Sequence, residues 1–483
     1  MDRHRRLSMP AFAAALASAI ALGVALLAPN LSAIHRFNNA ESLIPIFLSL
    51  DRWTPFYWGQ TRFGMLVPLL ASGIRNPLLN LLFQTQINVL SLFGSFLLFD
   101  CLVNPPSSGW VRITRACLAM SLCLAILRND AKLYHLGFLP GHPYSVSLCL
   151  LTAALVTVGF GSNLVAVPSV RFAGFFGLSL LALYVNEGNF LAALILTMAL
   201  PTEGGYHVLR RLASASAIVA GELLMRFLSS FYGTPLPFRL APLEYLPDAA
   251  TSMLDQLWAQ LVSPFSAAVF GILVVSSVVL TFFFWRINFR RQVLTLLAVG
   301  MTSVAVAILT TSLEWLEHNL YDVRYWTTPL LLVLMSGTLA VTSRAAVPLP
   351  RTTAVIAAVI LASVSVYEFG FPSMQRMRAS LLEATTYHHH ALVSLGCTHF
   401  VGDAWQVWNS AFGSRLIDPG RPITPVTDRA QAIFEGAPAL DGRGLHYCSI
   451  CGDADFEAVR REFHLPDLKV ERQVDRICLL TPQ

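Results

Sequence analysis

Residues 31–62 read LSAIHRFNNAESLIPIFLSLDRWTPFYWGQTR, a polar and aromatic loop between two membrane-length apolar runs. Glu41 and Asp51 stand in it with His35, Arg36, Arg52 and Arg62, and Trp53, Phe56, Tyr57 and Trp58 cluster towards its end. Two carboxylates, several cations and aromatic faces within reach of one bilayer surface make either a site or a wet connector. The side of the membrane on which the loop lies decides how the rest of the chain is read.

The composition gives the class. Of 483 residues 55% are apolar and 13% charged, the latter about half the share of a soluble domain, and the mean hydropathy is +0.59. These values describe a polytopic, mainly α membrane protein. The formal net charge of +5 needs no nucleic-acid partner, because an Arg and Lys excess is what orientation at a cytoplasmic face requires.

MDRHRR precedes an apolar run from about residue 7 to 29, long enough to be an uncleaved anchor rather than a cleaved signal peptide. Further runs lie near 78–103, 113–127, 143–160, 169–186, 188–201, 212–232, 265–285, 292–312, 325–343 and 352–370, giving about eleven transmembrane helices. Residues 63–74, FGMLVPLLASGI, are too short to cross and are expected as a re-entrant or interfacial helix. Alternate connectors carry Arg112 and Arg115, Arg171, Arg210 and Arg211, Arg286 with Arg290 and Arg291, and Arg344 with Arg351. The positive-inside rule then puts the N-terminus in the cytoplasm, loop 31–62 outside, and, with an odd number of spans, the tail outside as well.

Residues 1–371 are therefore expected as a transmembrane domain and 372–483 as a small extracytoplasmic α/β domain. In the tail a helical pattern covers 377–395, a short strand 397–401, a helix 455–463, and a terminal strand lies in KVERQVDRICLL. Cys101, Cys117, Cys123 and Cys149 fall in or beside apolar runs and read as small buried hydrophobes. Cys397, Cys448, Cys451 and Cys478 all fall in the tail, where an oxidising compartment allows two disulfides. The C-x-x-C of Cys448 and Cys451, with His446 and His399, leaves a zinc site as the alternative. The run His388–His390 reads as a solvated surface, since three consecutive residues cannot share one helix face.

Inside the apolar runs, Glu222 and Arg226 are four apart and expected to pair on one helix face. YVNEGNF sets Asn186 and Glu187 at an outer interface. RNDAKLYHLGFLPGHPY carries Lys132, His135 and His142, and SLEWLEHNLYDVRYW carries Glu314, Glu317, His318, Asp322, Arg324 and Tyr325. These connectors supply the cations that a phosphate at a membrane surface needs.

An N-terminal span, a carboxylate soon after it in FNNAESLIP, the aromatic WTPFYWGQTRFG, and outer GHPY and VRY motifs resemble the polytopic glycosyltransferases of the GT-C superfamily, as does a soluble domain after the last span. The resemblance implies an inverting transferase, hexosyl or pentosyl, using a polyprenyl-phosphate-linked sugar at the outer face of a bacterial-type inner membrane. Its acceptor would be a glycan, lipid or protein of the envelope. By position Glu41 takes the role of catalytic base, with Asp51 second. Arg62, Lys132, His142 and Arg324 are candidates for the phosphate and substrate, and Trp53, Tyr57 and Trp58 for the sugar. Asn38, Asn39 and Ala40 stand where a neighbouring acid is common in that superfamily, so no resident metal is indicated although a divalent ion is possible. A transporter or flippase of lipid-linked sugars, or a non-catalytic envelope protein, would use the same outer charges; the spans, however, are mostly Leu, Ala, Val and Phe with no internal repeat.

Overall fold

The structure, a computed structural model, describes residues 9–34, 40–51, 53–56, 64–104, 108–126, 141, 143–160, 168–200, 207–232, 240–260, 271, 290–314, 316, 323–343, 351–427, 446–452 and 468–482. In chain order the helices are α1 (Met9–Ala33), α2 (Ala40–Leu50), α3 (Leu66–Ala71), α4 (Pro77–Val103), α5 (Gly109–Ile126), α6 (Tyr144–Leu155), α7 (Pro168–Val185), α8 (Phe190–Ala199), α9 (His207–Ser229), α10 (Leu246–Gln260), α11 (Arg290–Thr311), α12 (Thr327–Ser343), α13 (Arg351–Phe369), α14 (Met374–Thr385), α15 (His389–Ser394) and α16 (Ala404–Ile417). Five of the described helices, those beginning at Phe12, Pro77, Val208, Gln292 and Arg351, are long and apolar enough to cross a membrane. The expected short helix at 63–74 is α3. The expected span at 265–285 lies, except for residue 271, outside the described residues. Helix α10 falls within a connector expected only as a loop.

Local chemistry sets the starts of these elements. Asn76 accepts a hydrogen bond from the Leu79 amide at 3.0 Å and Pro77 occupies the first turn, the arrangement that best satisfies a helix N-terminus. Helix α4 then carries Asn80, Gln84 and Asn88 four residues apart on one buried face. Asn80 donates to the carbonyls of Ala71 (3.0 Å) and Ile74 (2.9 Å). Ser49 donates to Asn80 Oδ1 (2.8 Å), and Gln84 Nε2 reaches Asn80 Oδ1 (2.7 Å) and Pro45 O (3.3 Å). A ladder of amides therefore fastens both α2 and α3 to the first turns of α4.

Helix α1 packs along α13, and their ends are tied: Ser32 Oγ donates to Gly370 O (3.0 Å) and Phe371 O (2.7 Å), and the Ser373 amide to Leu31 O (3.3 Å). The loop after α1 and the tail after α13 thus begin at the same end of the bundle.

The tail holds a five-stranded sheet in the order β2-β1-β3-β5-β4, from β1 (His399–Val401), β2 (Thr424–Val426), β3 (Tyr447–Ile450), β4 (Leu468–Val474) and β5 (Ile477–Pro482). β1 pairs in parallel with β2 and β3, while β5 runs antiparallel to β3 and β4. KVERQVDRICLL, expected as one strand, is two, because the chain reverses at Asp475–Arg476 with Asp475 at φ +52°, a left-handed position that Asp tolerates. The helical pattern at 377–395 is likewise two helices, α14 and α15. The expected helix at 455–463 lies outside the described residues. Disulfide Cys397–Cys448 staples β3 to the turn before β1, and Cys451–Cys478 staples the turn after β3 to β5. Both sulfurs of the C-x-x-C are consumed in these bonds, which removes the zinc alternative. Among the described residues no group of three His, Cys, Asp or Glu is placed to hold a metal ion.

His388 is 8% exposed and packs on Tyr387 and Phe400, so the expectation of a solvated surface fails there. Burial falls off along the run, so that His388, just before α15, points inward, His389 is half-buried and His390 stays exposed. Burial lowers the pKa of His388, His389 and His399, since the charged ring loses water it cannot replace. The unfolded chain therefore takes up protons at a higher pH than the native one. Stability from these rings is complete above the unfolded value of about 6.5 and is lost as the pH falls below it. The thermal midpoint of the full-length protein should drop between about pH 7.5 and about pH 5.5, and His399→Gln should shrink the drop. A midpoint that rises on acidification would contradict this.

Candidate functional site

Glu41 lies in the first turn of α2 and Arg324 in a short turn, Val323–Trp326, just before α12. Arg324 Nη1 donates to Glu41 Oε2 at 3.0 Å; the two side chains are 21% and 12% exposed. Arg324 also extends Nη2 to the Tyr325 hydroxyl at 3.0 Å with its guanidinium over that ring. One candidate base from the first loop and one candidate phosphate cation from the last long connector, 283 residues apart in sequence, thus meet in a single half-buried pair.

The GHPY motif closes on the same place. Pro45, inside α2, cannot supply the N–H that helix geometry would aim at the Glu41 carbonyl. Gly141 packs against that oxygen: a Cβ at 141 would stand 2.1 Å from Glu41 O. Any side chain at 141 must therefore displace the backbone of Glu41. We expect Gly141→Ala to leave the protein in the membrane at normal levels and to slow any reaction that depends on Glu41, by up to about a hundredfold for a misplacement near 1 Å. Unchanged activity in that variant would show that the position of Glu41 is not critical.

Asn189 joins the remaining motifs. It closes the turn Glu187–Asn189 before α8, is 1% exposed, donates through Nδ2 to Ser147 Oγ (2.7 Å) and accepts through Oδ1 from Thr328 Oγ1 (2.6 Å). Ser147 follows GHPY in α6, and Thr328 lies one turn beyond Arg324. YVNEGNF therefore acts through Asn189, which couples GHPY to VRYW, while Glu187 is half-buried at the start of the turn. Asn189→Ala takes the acceptor from the buried Thr328 hydroxyl and a donor from Ser147, which keeps its bond to Ala182 O, and should cost about 1–3 kcal/mol in thermal or chemical unfolding of the purified protein. A loss below about 0.5 kcal/mol would refute the coupling.

Asp51 is elsewhere. It directly follows α2, is 44% exposed, and accepts from Arg415 Nη1 of α16 at 2.8 Å. Ten residues of helix, about 15 Å at 1.5 Å per residue, separate it from Glu41. Arg415 also covers the Phe47 ring at 4.8 Å, and Trp408 meets that ring edge-on at 5.0 Å. The tail thus grips the helix that carries Glu41, through residues the sequence reading did not single out. Trp53 donates its indole N–H to Met65 O (2.8 Å), and the Tyr184 hydroxyl donates to Pro55 O; the Gly64 amide reaches Tyr184 O (2.7 Å). These bonds hold the aromatic return of the first loop against α7. Glu222 and Arg226 form the expected i,i+4 pair at 2.7 Å. Tyr57, Trp58, Arg62, Lys132 and His142 lie outside the described residues.

No protein-family model and no curated protein matches this chain. Among solved structures, ArnT from Cupriavidus metallidurans in the apo state superposes with a TM-score of 0.52 at 9% identity, over 98% of each chain. The same protein bound to undecaprenyl phosphate gives 0.51 at 10% identity, again over 98% of each chain. AglB, an archaeal oligosaccharyltransferase from Archaeoglobus fulgidus in complex with an inhibitory peptide and a dolichol-phosphate, gives 0.38 at 12% identity over 91% of this chain and 69% of that one. Over almost its whole length this chain has the fold of ArnT.

Proposed function

We propose that this chain is a membrane glycosyltransferase that moves a sugar from a polyprenyl-phosphate carrier to an envelope acceptor at the outer face of the inner membrane, with Glu41 as the base. The observation that carries this reading is the Glu41–Arg324 pair, a carboxylate and a guanidinium 3.0 Å apart at the junction of three outer motifs. The likeness to ArnT, solved with undecaprenyl phosphate, supports the donor class.

In this mechanism the Glu41 carboxylate accepts the proton of an acceptor hydroxyl as its oxygen bonds to the anomeric carbon. The bond from that carbon to the lipid phosphate oxygen breaks, and its electron pair leaves with the phosphate. Attack opposite the leaving group inverts the anomeric centre. Arg324, with a fork of N–H donors, suits the phosphate as negative charge grows on it. Donor phosphate and Glu41 would compete for Arg324, so donor binding would draw the guanidinium off Glu41 and leave the carboxylate ready for the hydroxyl. The tail, residues 372–483, faces the same side as loop 31–62 in this reading and helps to position the acceptor.

The test compares envelope glycans and lipids by mass spectrometry from cells with the intact gene and with a deletion complemented or not. Loss of one sugar from one envelope component on deletion, restored by the gene, is the expected result. An unchanged envelope would sink the transferase reading.

A further inference from the structure

Helix α14 and the start of α4 enclose a groove of about 510 Å³ lined by Leu78, Met374, Gln375, Arg378, Ala379 and Leu382. We propose that it holds an anionic glycerophospholipid of the surrounding leaflet, with its phosphate on Arg378 and an acyl chain laid on α4. The inference rests on the membrane-spanning fold and is independent of the transferase reading.

Depth and chemistry together select this occupant. The groove is level with the ends of three spans: α4 starts at Pro77, α13 ends at Phe369, and Ser32 at the end of α1 holds the carbonyls of Gly370 and Phe371. Headgroups lie at that depth. The walls are apolar apart from one amide, Gln375, and one guanidinium, Arg378. An apolar body with a single anionic group satisfies such walls, and a zwitterionic or uncharged lipid gains less from the guanidinium. Below Leu78 the apolar surface continues: Leu79, Phe83 and Leu90 are 49%, 37% and 49% exposed and fall on one face of α4 at steps of four and seven. Met374 and Phe371 extend it upward at 44% and 63%. A chain descending from Arg378 therefore meets side chains along its length.

The position gives such a lipid a consequence. Helix α14 packs on α1 and on α16, and a Cβ at Gly413 of α16 would stand 2.2 Å from Thr385 O of α14, so the two helices touch through their backbones. Helix α16 in turn grips α2 through Arg415 and Trp408. A lipid seated under α14 steadies the tail against the bilayer, and through α16 the helix that carries Glu41.

The experiment uses the full-length protein purified in a mild detergent, with phosphatidylglycerol or phosphatidylcholine added at equal concentration. Native mass spectrometry reads lipid retained, and thermal unfolding reads the midpoint. Phosphatidylglycerol should be retained in preference and raise the midpoint. Arg378→Gln should lower its retention about fivefold, the worth of one basic residue at a membrane surface, and remove most of the midpoint gain. Arg472→Gln, on exposed β4 of the tail, should change neither and controls for net charge. Equal retention of the two lipids, full retention by Arg378→Gln, an equal loss in Arg472→Gln, or no retention of either lipid would each overturn the proposal. All four outcomes can be read without a transferase assay, so failure here and failure of the envelope comparison are separable.

Discussion

On the proposed reading, Glu41→Gln is expected to lower sugar transfer steeply while leaving the protein folded and its donor bound. The amide keeps the size of the side chain and still offers Arg324 an oxygen to bond, so the pair at 3.0 Å survives as a neutral–cation hydrogen bond. It cannot accept a proton from an acceptor hydroxyl. General-base catalysis of this kind contributes about 10²–10⁴ in rate, and that is the expected fall. Removing the carboxylate's charge also weakens its competition for Arg324, so the variant should bind undecaprenyl phosphate at least as tightly as the native protein. Arg324→Gln should do the opposite, loosening the lipid phosphate by the worth of a charge-assisted bond, about 1.5–3 kcal/mol or roughly tenfold to a hundredfold. The two measurements are product per cell by mass spectrometry at matched membrane levels, and undecaprenyl phosphate binding to purified variants. Wild-type product from Glu41→Gln would remove the base from α2. Equal binding by native protein and Arg324→Gln would remove the phosphate from this cation.

How much of this was legible in the sequence depends on how far each residue acts from itself. Glu41 was singled out by its position after the first span, through the resemblance of the first loop, and the fold sets it against Arg324. Arg324 was legible only as one of several cations, since nothing local says which of them meets a residue 283 positions away. Asp51 stood second to Glu41 in the sequence, and only the tertiary fold shows that it meets Arg415. Asn189 was overlooked beside Glu187 because Asn in NEGN reads as turn chemistry, and a turn residue gives no sign that its other amide atoms bridge two helices.

The five long apolar helices among the described residues follow from apolar length alone, whereas the tail shows where pattern reading fails. Helix α16, AWQVWNSAFGSRLI, has no polar face to produce a period: Ala404, Val407, Trp408 and the run Ser410–Ser414 are all buried, because the sheet lies on one side and α2 and α14 on the other. A helix covered from several sides shows no amphipathic stripe. The same coverage hides the connection of most consequence in the tail, its hold on α2.

Trp408→Ala tests that hold, and it is the substitution with the largest expected effect on stability. The indole is fully buried, packs edge-on against Phe47, and lies on the same helix as Gly413, where α16 touches α14. Removing it deletes a large apolar surface and leaves a cavity that three separate elements would have to close, at a cost of about 3–5 kcal/mol. The loss falls on both sides of the contact. Phe47 lies on α2 between Glu41 and Asp51, so α2 loses packing near its centre and, of these contacts, keeps only Arg415, through one ring face and an ion pair too exposed at the acid to hold a helix alone. Thermal unfolding of the purified protein should show a midpoint well below native, and Trp408→Phe, which restores most of the volume, should recover the larger part of it. Limited proteolysis within α2 should accelerate in Trp408→Ala before the long spans are cut, since the spans do not depend on this contact. A Trp408→Ala protein with native stability and native protection of α2 would mean that the tail rests on the membrane domain without supporting it. The acceptor-positioning role proposed for the tail would then need a route other than α16.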